Sequence, residues 1–170
     1  IHIVSDALID GGDRAPRGKV WGWQPLPQYL NTSAETPAMS NNPGSWPQAQ
    51  TTENPFYNPD NTGPDDMFLW PGLEGLGKLS ADLEAFWVMD DRDNDEFAYY
   101  PFEEDTLRRG LGLELTCRLL QFTASLAEDI IFYIVTVKNV SDKPLDKVVV
   151  GMFGDPHIGG AGDFSDDYAG

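Results

Sequence analysis

The second half of the chain alternates apolar and polar positions with a period of two, which is the pattern of β-strands. Four stretches rich in β-branched and aromatic residues follow this pattern, at positions 83–89, 112–122, 129–140 and 147–153. In the second stretch leucines and Cys117 alternate with more polar residues. This strand is therefore predicted to bury one face and to expose most of the other.

The third stretch is apolar at every position of "IIFYIV", unlike its neighbours. A strand that is apolar on both faces is typical of the centre of a sheet that is covered on both sides. The loop "NVSDKPLDK" that follows contains Pro144 and residues that favour turns. We therefore predict that the third and fourth strands are antiparallel neighbours, and that the chain contains no helix longer than one turn, at 103–110.

The first 80 residues have a different character, because most of the prolines and all but one of the tryptophans lie there. Proline, glycine and asparagine recur too often for helices or central strands. Disordered segments are poor in aromatic residues, so this one is predicted to be irregular but ordered. We expect Trp21, Trp23, Trp46 and Trp70 to be core residues of a wrap over the sheet. The alternative is an exposed platform of tryptophan rings that binds carbohydrate.

These patterns together predict a mainly β fold. We expect an antiparallel β-sandwich, Ig-like or jelly-roll-like, with a long irregular wrap rich in proline and tryptophan. Residues 1–80 would form the wrap, and residues 81–170 the sandwich portion. The chain begins without methionine and ends after an acidic cluster, so we expect it to be a piece of a longer protein, truncated at the C-terminus.

The charge balance excludes some partners. The chain has 28 acidic and 11 basic residues and a net charge of −17, which repels nucleic acid and anionic lipid. No apolar run approaches the length of a membrane span, so membrane insertion is not expected. A single cysteine and two histidines are too few ligands for a typical zinc site, and Cys117 is predicted to be a buried apolar residue.

The first candidate metal site is "DDRDNDEF", in which Asp91, Asp93 and Asp95 have the spacing of a calcium loop. An EF-hand is not predicted, because Glu96 occupies the position of the turn glycine and Phe102 that of the closing glutamate. Between residues 81 and 105 there are ten acids and one base. Three interpretations stay open for this segment: a hydrated turn, a looser calcium site, or a catalytic centre.

The second candidate site follows the fourth predicted strand, in "FGDPHIGGAGDFSDDYAG". Glycines separate its carboxylates and allow the backbone to fold back so that oxygen ligands converge. The sequence therefore predicts calcium ligands among four residues: Asp155, Asp163, Asp166 and Asp167. The alternative is a solvated glycine-rich loop.

Catalysis is not favoured. Glu84 and Glu114 are the carboxylates that a glycoside hydrolase would need to place about 5 to 10 Å apart, but no motif pairs them. The chain also lacks the G-x-S-x-G nucleophile elbow and the full phosphate-binding glycine loop. We therefore expect no enzymatic activity and assign no catalytic residue.

Several segments carry a resemblance. "FYIVTVKNVSDKPLDKVVVGMFGDPHIGG" resembles the strand, turn and strand of Ig-like β-sandwich modules in secreted bacterial surface proteins. With "GWQPLPQYL", "MSNNPGSWP", "FWVMDDRDNDEF" and "RRGLGLEL", it is similar to uncharacterised large exported proteins of Bacteroidetes-like bacteria. The resemblance implies an extracellular or cell-surface location and a fold, but no reaction.

The function expected from the sequence is a structural or adhesive module of a bacterial cell-surface protein, with calcium as a stabilising ion. Its partners would be other domains of the same chain, or further copies in self-assembly. The alternative is a module that binds or cleaves carbohydrate.

Overall fold

A computed structural model describes residues 22–94 and 99–151 of the protein. These residues form antiparallel sheets, and their helical content is three short 3-10 turns. In chain order the strands are β1 (Gln24–Pro25), β2 (Ala38–Met39), β3 (Pro71–Gly72), β4 (Gly75–Leu76), β5 (Leu83–Asp90), β6 (Leu113–Gln121) and β7 (Ile131–Asn139). The 3-10 turns are Pro27–Tyr29, Pro43–Ser45 and Pro64–Asp66. The prediction of a mainly β fold is confirmed.

Three long strands form the main sheet, in the order β5, β6 and β7. All neighbours are antiparallel, and Trp87 of β5 lies opposite Cys117 of β6, which lies opposite Val135 of β7. The two short strands β1 and β2 pair with the other edge of β5, while β3 and β4 form a separate hairpin. The irregular segment thus contributes strands of its own to the sheet.

The wrap covers one face of the sheet, which we call the wrap face. Phe86 and Val88 of β5 point into it and pack in one buried cluster with Trp46, Phe56 and Trp70. The rings of Trp46, Phe56 and Trp70 lie 5.5 to 5.8 Å apart between centroids. These rings exclude water from the cluster, which explains why residues 22–80 are ordered although they contain little regular structure.

Two of the four tryptophans predicted to be core residues are buried. Trp46 and Trp70 are 8% and 3% exposed, while Trp23 is half-buried and Trp21 lies outside the described residues. The prediction of core tryptophans is therefore confirmed for Trp46 and Trp70.

The opposite face of the sheet, which we call the open face, is also apolar. Trp87 of β5 and Tyr133 of β7 stack on it at 5.9 Å and 18°. The Tyr133 hydroxyl donates a hydrogen bond to the Cys117 sulfur at 3.4 Å. Cys117 is fully buried, as its place in the apolar alternation predicted, and it forms no disulfide.

Within residues 22–94 and 99–151, the predicted central position of the third long strand is wrong. β7 is the last strand in the order of its sheet, and its side chains are exposed from Ile131 to Thr136. The physical reason is that β1, β2 and the aromatic cluster all pack against β5, on the far side of β6. The wrap therefore covers β5 and leaves β7 at the rim.

The fourth predicted strand is not formed within its described part, residues 147–151. Val148, Val149 and Val150 instead line an apolar hollow together with open-face residues such as Leu115 and Tyr133. The predicted single turn at 103–110 is likewise a series of bends. In the described ranges, no helix is long and apolar enough to cross a membrane.

Candidate functional site

The acidic segment after β5 is organised by one buried carboxylate, Asp91. Its Oδ2 atom accepts a hydrogen bond from the amide of Leu111 at 2.6 Å. Its Oδ1 atom accepts one from the amide of Leu113 at 3.0 Å and one from Arg108 Nη2 at 3.1 Å. Asp91 is 0% exposed. It therefore ties the loop that follows β5 to the first residues of β6.

Asp90 beside it is also buried and shares the same arginine. Arg92 Nε lies 2.9 Å from Asp90 Oδ2, and Arg108 Nη2 lies 3.6 Å from the same oxygen. Two adjacent carboxylates thus face two guanidinium groups. This pairing offsets the like-charge repulsion that the acidic sequence led us to expect.

Backbone hydrogen bonds close the same loop. The Asn94 amide donates to the Asp91 carbonyl at 3.0 Å, and the Gly110 amide donates to the Asn94 carbonyl at 2.7 Å. Gly110 has a φ of +73°, and a Cβ atom on it would lie 2.2 Å from the Asp91 carbonyl oxygen. Only glycine fits this position, because the backbone approaches Asp91 too closely for a side chain.

Burial raises the pKa of Asp91 above its ordinary value, although the amides of Leu111 and Leu113 and the charge of Arg108 oppose the change. Both oxygens of this carboxylate already accept hydrogen bonds from the chain. Its role in the described structure is that of a structural acceptor for two backbone amides and for the Arg108 guanidinium. Asp93 is exposed, and Asp95 lies outside the described residues.

The described residues contain no group of three or more histidine, cysteine or carboxylate side chains placed to hold a metal ion. The four candidate ligands after residue 151, Asp155, Asp163, Asp166 and Asp167, lie outside the described residues. Calcium binding by those four residues stays a prediction.

A second buried carboxylate, Glu84, connects the wrap to the sheet. Its Oε2 atom accepts a hydrogen bond from Trp70 Nε1 at 2.7 Å, and its Oε1 atom accepts one from the Ser80 amide at 2.5 Å. Glu84 is 1% exposed. The indole that fills the core cluster is thereby fixed in orientation by the strand on which it packs.

Arg118 of β6 completes this network. Its Nη1 atom lies 3.9 Å from Glu84 Oε2, its Nη2 atom donates to the Pro71 carbonyl, and its guanidinium lies 4.7 Å from the centroid of the Phe86 ring. Burial lowers the pKa of Arg118, and the charge of Glu84 opposes that change. The pairing of Arg118 with Glu84 was not predicted. The sequence signal for it is the charged residue Arg118 within the apolar stretch "LTCRLL".

Glu84 and Glu114 do not form a pair. Glu84 lies opposite Leu120, while Glu114 lies opposite Asp90 at the other end of the same two strands. Six strand residues separate the two positions, which corresponds to roughly 20 Å. A retaining or inverting glycosidase holds its two carboxyl groups closer than about 10 Å.

The exposed surface with the clearest chemical character is β7. Ile131, Phe132 and Tyr133 are 63%, 45% and 45% exposed, and Ile134 and Val135 are more than one-third exposed. No charged residue occurs between positions 130 and 137, in a chain with a net charge of −17. We call residues 130–137 the β7 edge. It is the candidate interaction surface of the described structure.

No protein-family model, curated protein or solved structure matches this chain.

Proposed function

We propose that the chain is a non-catalytic structural or adhesive module of a bacterial secreted or cell-surface protein, and that it acts by docking through the β7 edge. The observation that carries this proposal is the uncharged, apolar stretch 130–137, which lies along the last strand of the sheet in the described part of the chain. Such strands are templates for pairing with another strand, and soluble proteins usually protect them with charges, proline or bulges. An exposed apolar surface of this size marks an interaction site.

The internal chemistry supports a structural role. Asp91 and Glu84 are the most deeply buried carboxylates among the described residues, and chain donors occupy the oxygens of both. A general acid, a nucleophile or a metal ligand needs an oxygen directed at the reacting group. These two carboxylates instead hold together the loop and the wrap.

A tryptophan platform for carbohydrate is not supported at Trp46 and Trp70, because both rings are buried in the core cluster. The bacterial surface location rests on the resemblance of the sequence segments to exported proteins, and the acidic composition is compatible with it.

The proposal includes two finer features. The sheet would be one layer of an Ig-like or jelly-roll-like sandwich, because its open face is apolar and a second layer would cover such a face. Calcium would stabilise the protein through Asp155, Asp163, Asp166 and Asp167, since these carboxylates alternate with glycines as flexible oxygen ligands do.

Adhesion of coated beads tests the docking proposal. Beads that carry the full chain are passed under shear over surfaces coated with the same protein, with unrelated β-sheet proteins or with polysaccharides. A variant with Ile134→Lys places a charge in the β7 edge, and Asp93→Lys places the same charge on an exposed loop away from β7. We expect beads that carry the wild-type chain to be retained on at least one protein surface. Beads that carry Ile134→Lys should lose this retention, and beads that carry Asp93→Lys should keep it. The proposal would be contradicted if the beads were retained on no protein surface, or if Ile134→Lys did not reduce their retention. Retention on polysaccharide alone would favour the carbohydrate-binding alternative.

A further inference from the structure

We infer that the partner of the β7 edge is a second copy of the same chain, whose β7 pairs antiparallel with the first and extends the sheet across a two-fold axis. This inference rests on the proposed function, because it names the partner of the same surface.

The first step is the free edge of the strand. All nine residues of β7 pair with β6 on one side, from Ile131 opposite Gln121 to Asn139 opposite Leu113. On its other side β7 has no strand partner within residues 22–94 and 99–151. Backbone amides and carbonyls on that side can therefore pair with an added strand.

The second step is the size of the surface. Six consecutive side chains, Ile130 to Val135, are between 36% and 63% exposed. If each of the six side chains exposes on the order of 100 Å², one copy offers about 600 Å² and two copies about 1,200 Å². This area is at the lower limit of a specific interface. We therefore expect a reversible dimer rather than an obligate one.

The third step is the order of charges along the strand. Glu128 and Asp129 precede the β7 edge, and Lys138 follows it. Glu128 and Asp129 lie in the turn before β7. If an antiparallel copy is centred on Tyr133, this acidic turn of one chain lies near Lys138 of the other at both ends of the interface. A parallel copy would instead place each charge beside its own equivalent, which is unfavourable.

The same register matches apolar side chains. With Tyr133 opposite its equivalent, Ile131 lies opposite Val135 and Phe132 lies opposite Ile134, each pair on one face of the extended sheet. An isologous contact of this kind closes after two copies, whereas a head-to-tail contact would continue into a fibre. The net charge of −17 on each copy opposes association. Salt at about 0.15 M screens charges separated by more than about 8 Å, and the β7 edge itself is uncharged.

Sedimentation of the full chain over a range of concentrations tests this inference. We expect a monomer–dimer equilibrium for the wild type. Lys138→Glu should weaken it by up to about tenfold, because each symmetric end exchanges an attraction for a repulsion. The double variant Glu128→Lys with Lys138→Glu restores opposite charges and should return the dissociation constant to within about twofold of the wild type. Urea unfolding of each variant checks that the monomer fold is unchanged.

A wild type that stays monomeric at the highest concentration would overturn the inference. So would a dimer that is insensitive to Lys138→Glu, or a double variant that does not recover. The two proposals can fail separately. If the wild type is monomeric but the beads still adhere to another protein in a way that requires Ile134, the docking function stands and the second copy is excluded as the partner. Loss of both results removes both proposals.

Discussion

At the scale of single residues, the most informative feature is that two carboxylates of the acidic segment, Asp90 and Asp91, are buried and paired with arginines. Asp91 accepts three hydrogen bonds from the chain, and Arg108 contacts both Asp90 and Asp91. The sequence spacing of the aspartates indicated a cation loop. The actual partners of Asp91 lie some twenty residues further along the chain, outside that spacing. Local spacing carries no information on such partners, so this part of the site could not be predicted.

Removal of the Asp91 carboxylate tests this role. Asp91→Ala should lower the free energy of unfolding by about 3 kcal/mol, because Arg108 and two amides would lose a buried acceptor. Asp93→Ala is the control, since Asp93 is exposed in the same loop and should change stability by less than about 0.5 kcal/mol. Urea unfolding measures both variants. Equal stabilities would show that Asp91 is not the residue that holds the loop.

Tyr133 provides a second prediction at this scale. Tyr133 is 45% exposed, but desolvation of its hydroxyl, followed by the contact with Cys117, raises the pKa of Tyr133 to about 12. The unfolded chain releases this proton near pH 10, so the folded state binds more protons between the two values. The Tyr133 contribution to stability should therefore be lost as the pH rises through this interval.

Urea unfolding at stepped alkaline pH, compared with Tyr133→Phe, measures this effect, and tyrosinate absorbance reports the titration directly. The slope of stability against pH should be less steep in the variant, although the buried Cys117 thiol, whose pKa burial also raises, continues to contribute to it. Identical slopes in the two proteins would contradict the assignment.

At the scale of elements, three of the four predicted strands are present with ends within two residues of those predicted. Alternation along a strand is a local property, and local properties can be read from a sequence. The order of strands in a sheet is not local. β7 looks like a central strand because both its faces are apolar, but the short β1 and β2 pair with β5 and leave β7 at the rim.

The loop between β5 and β6 gives a prediction at this scale. Gly110→Ala should destabilise the protein by at least about 1 to 3 kcal/mol, since the new Cβ would meet the Asp91 carbonyl at a positive φ. Gly63→Ala is the matched control, because Gly63 has an extended φ of 179° and open space around its Cβ position. Thermal melts should separate the two variants clearly. Equal midpoints would mean that the loop relaxes without cost.

At the scale of the whole molecule, the wrap and the sheet form one structure. Two strands of the main sheet, β1 and β2, and three of the core rings come from the irregular segment, and Glu84 accepts a hydrogen bond from the Trp70 indole. Composition alone predicted the order seen in residues 22–80. The position of each ring could not be predicted, because irregular backbone has no periodicity from which to infer direction.

Calcium binding also belongs to this scale. Binding to the folded state alone should raise stability by about 2.7 kcal/mol at a hundredfold excess over the dissociation constant. Thermal melts of the full chain with calcium and with chelator measure this, and a variant with Asp163→Asn and Asp166→Asn should lose the difference. Magnesium serves as the control cation because it fits flexible all-protein sites poorly. Equal midpoints with calcium and with chelator would favour the alternative, in which the glycine-rich acidic segment is a solvated loop.

The central claim is that the β7 edge is unpaired in the monomer and becomes paired in the assembled protein. Amide hydrogen exchange of the full chain, measured at low and at high protein concentration, tests this claim most directly. Amides of β6 should be protected at both concentrations, because β6 is paired on both sides. Amides of β7 that point away from β6 should exchange rapidly in the dilute monomer and slowly at high concentration. Slow exchange of those amides at the lowest concentration, where the protein sediments as a monomer, would show that its own chain covers the edge and would contradict the account.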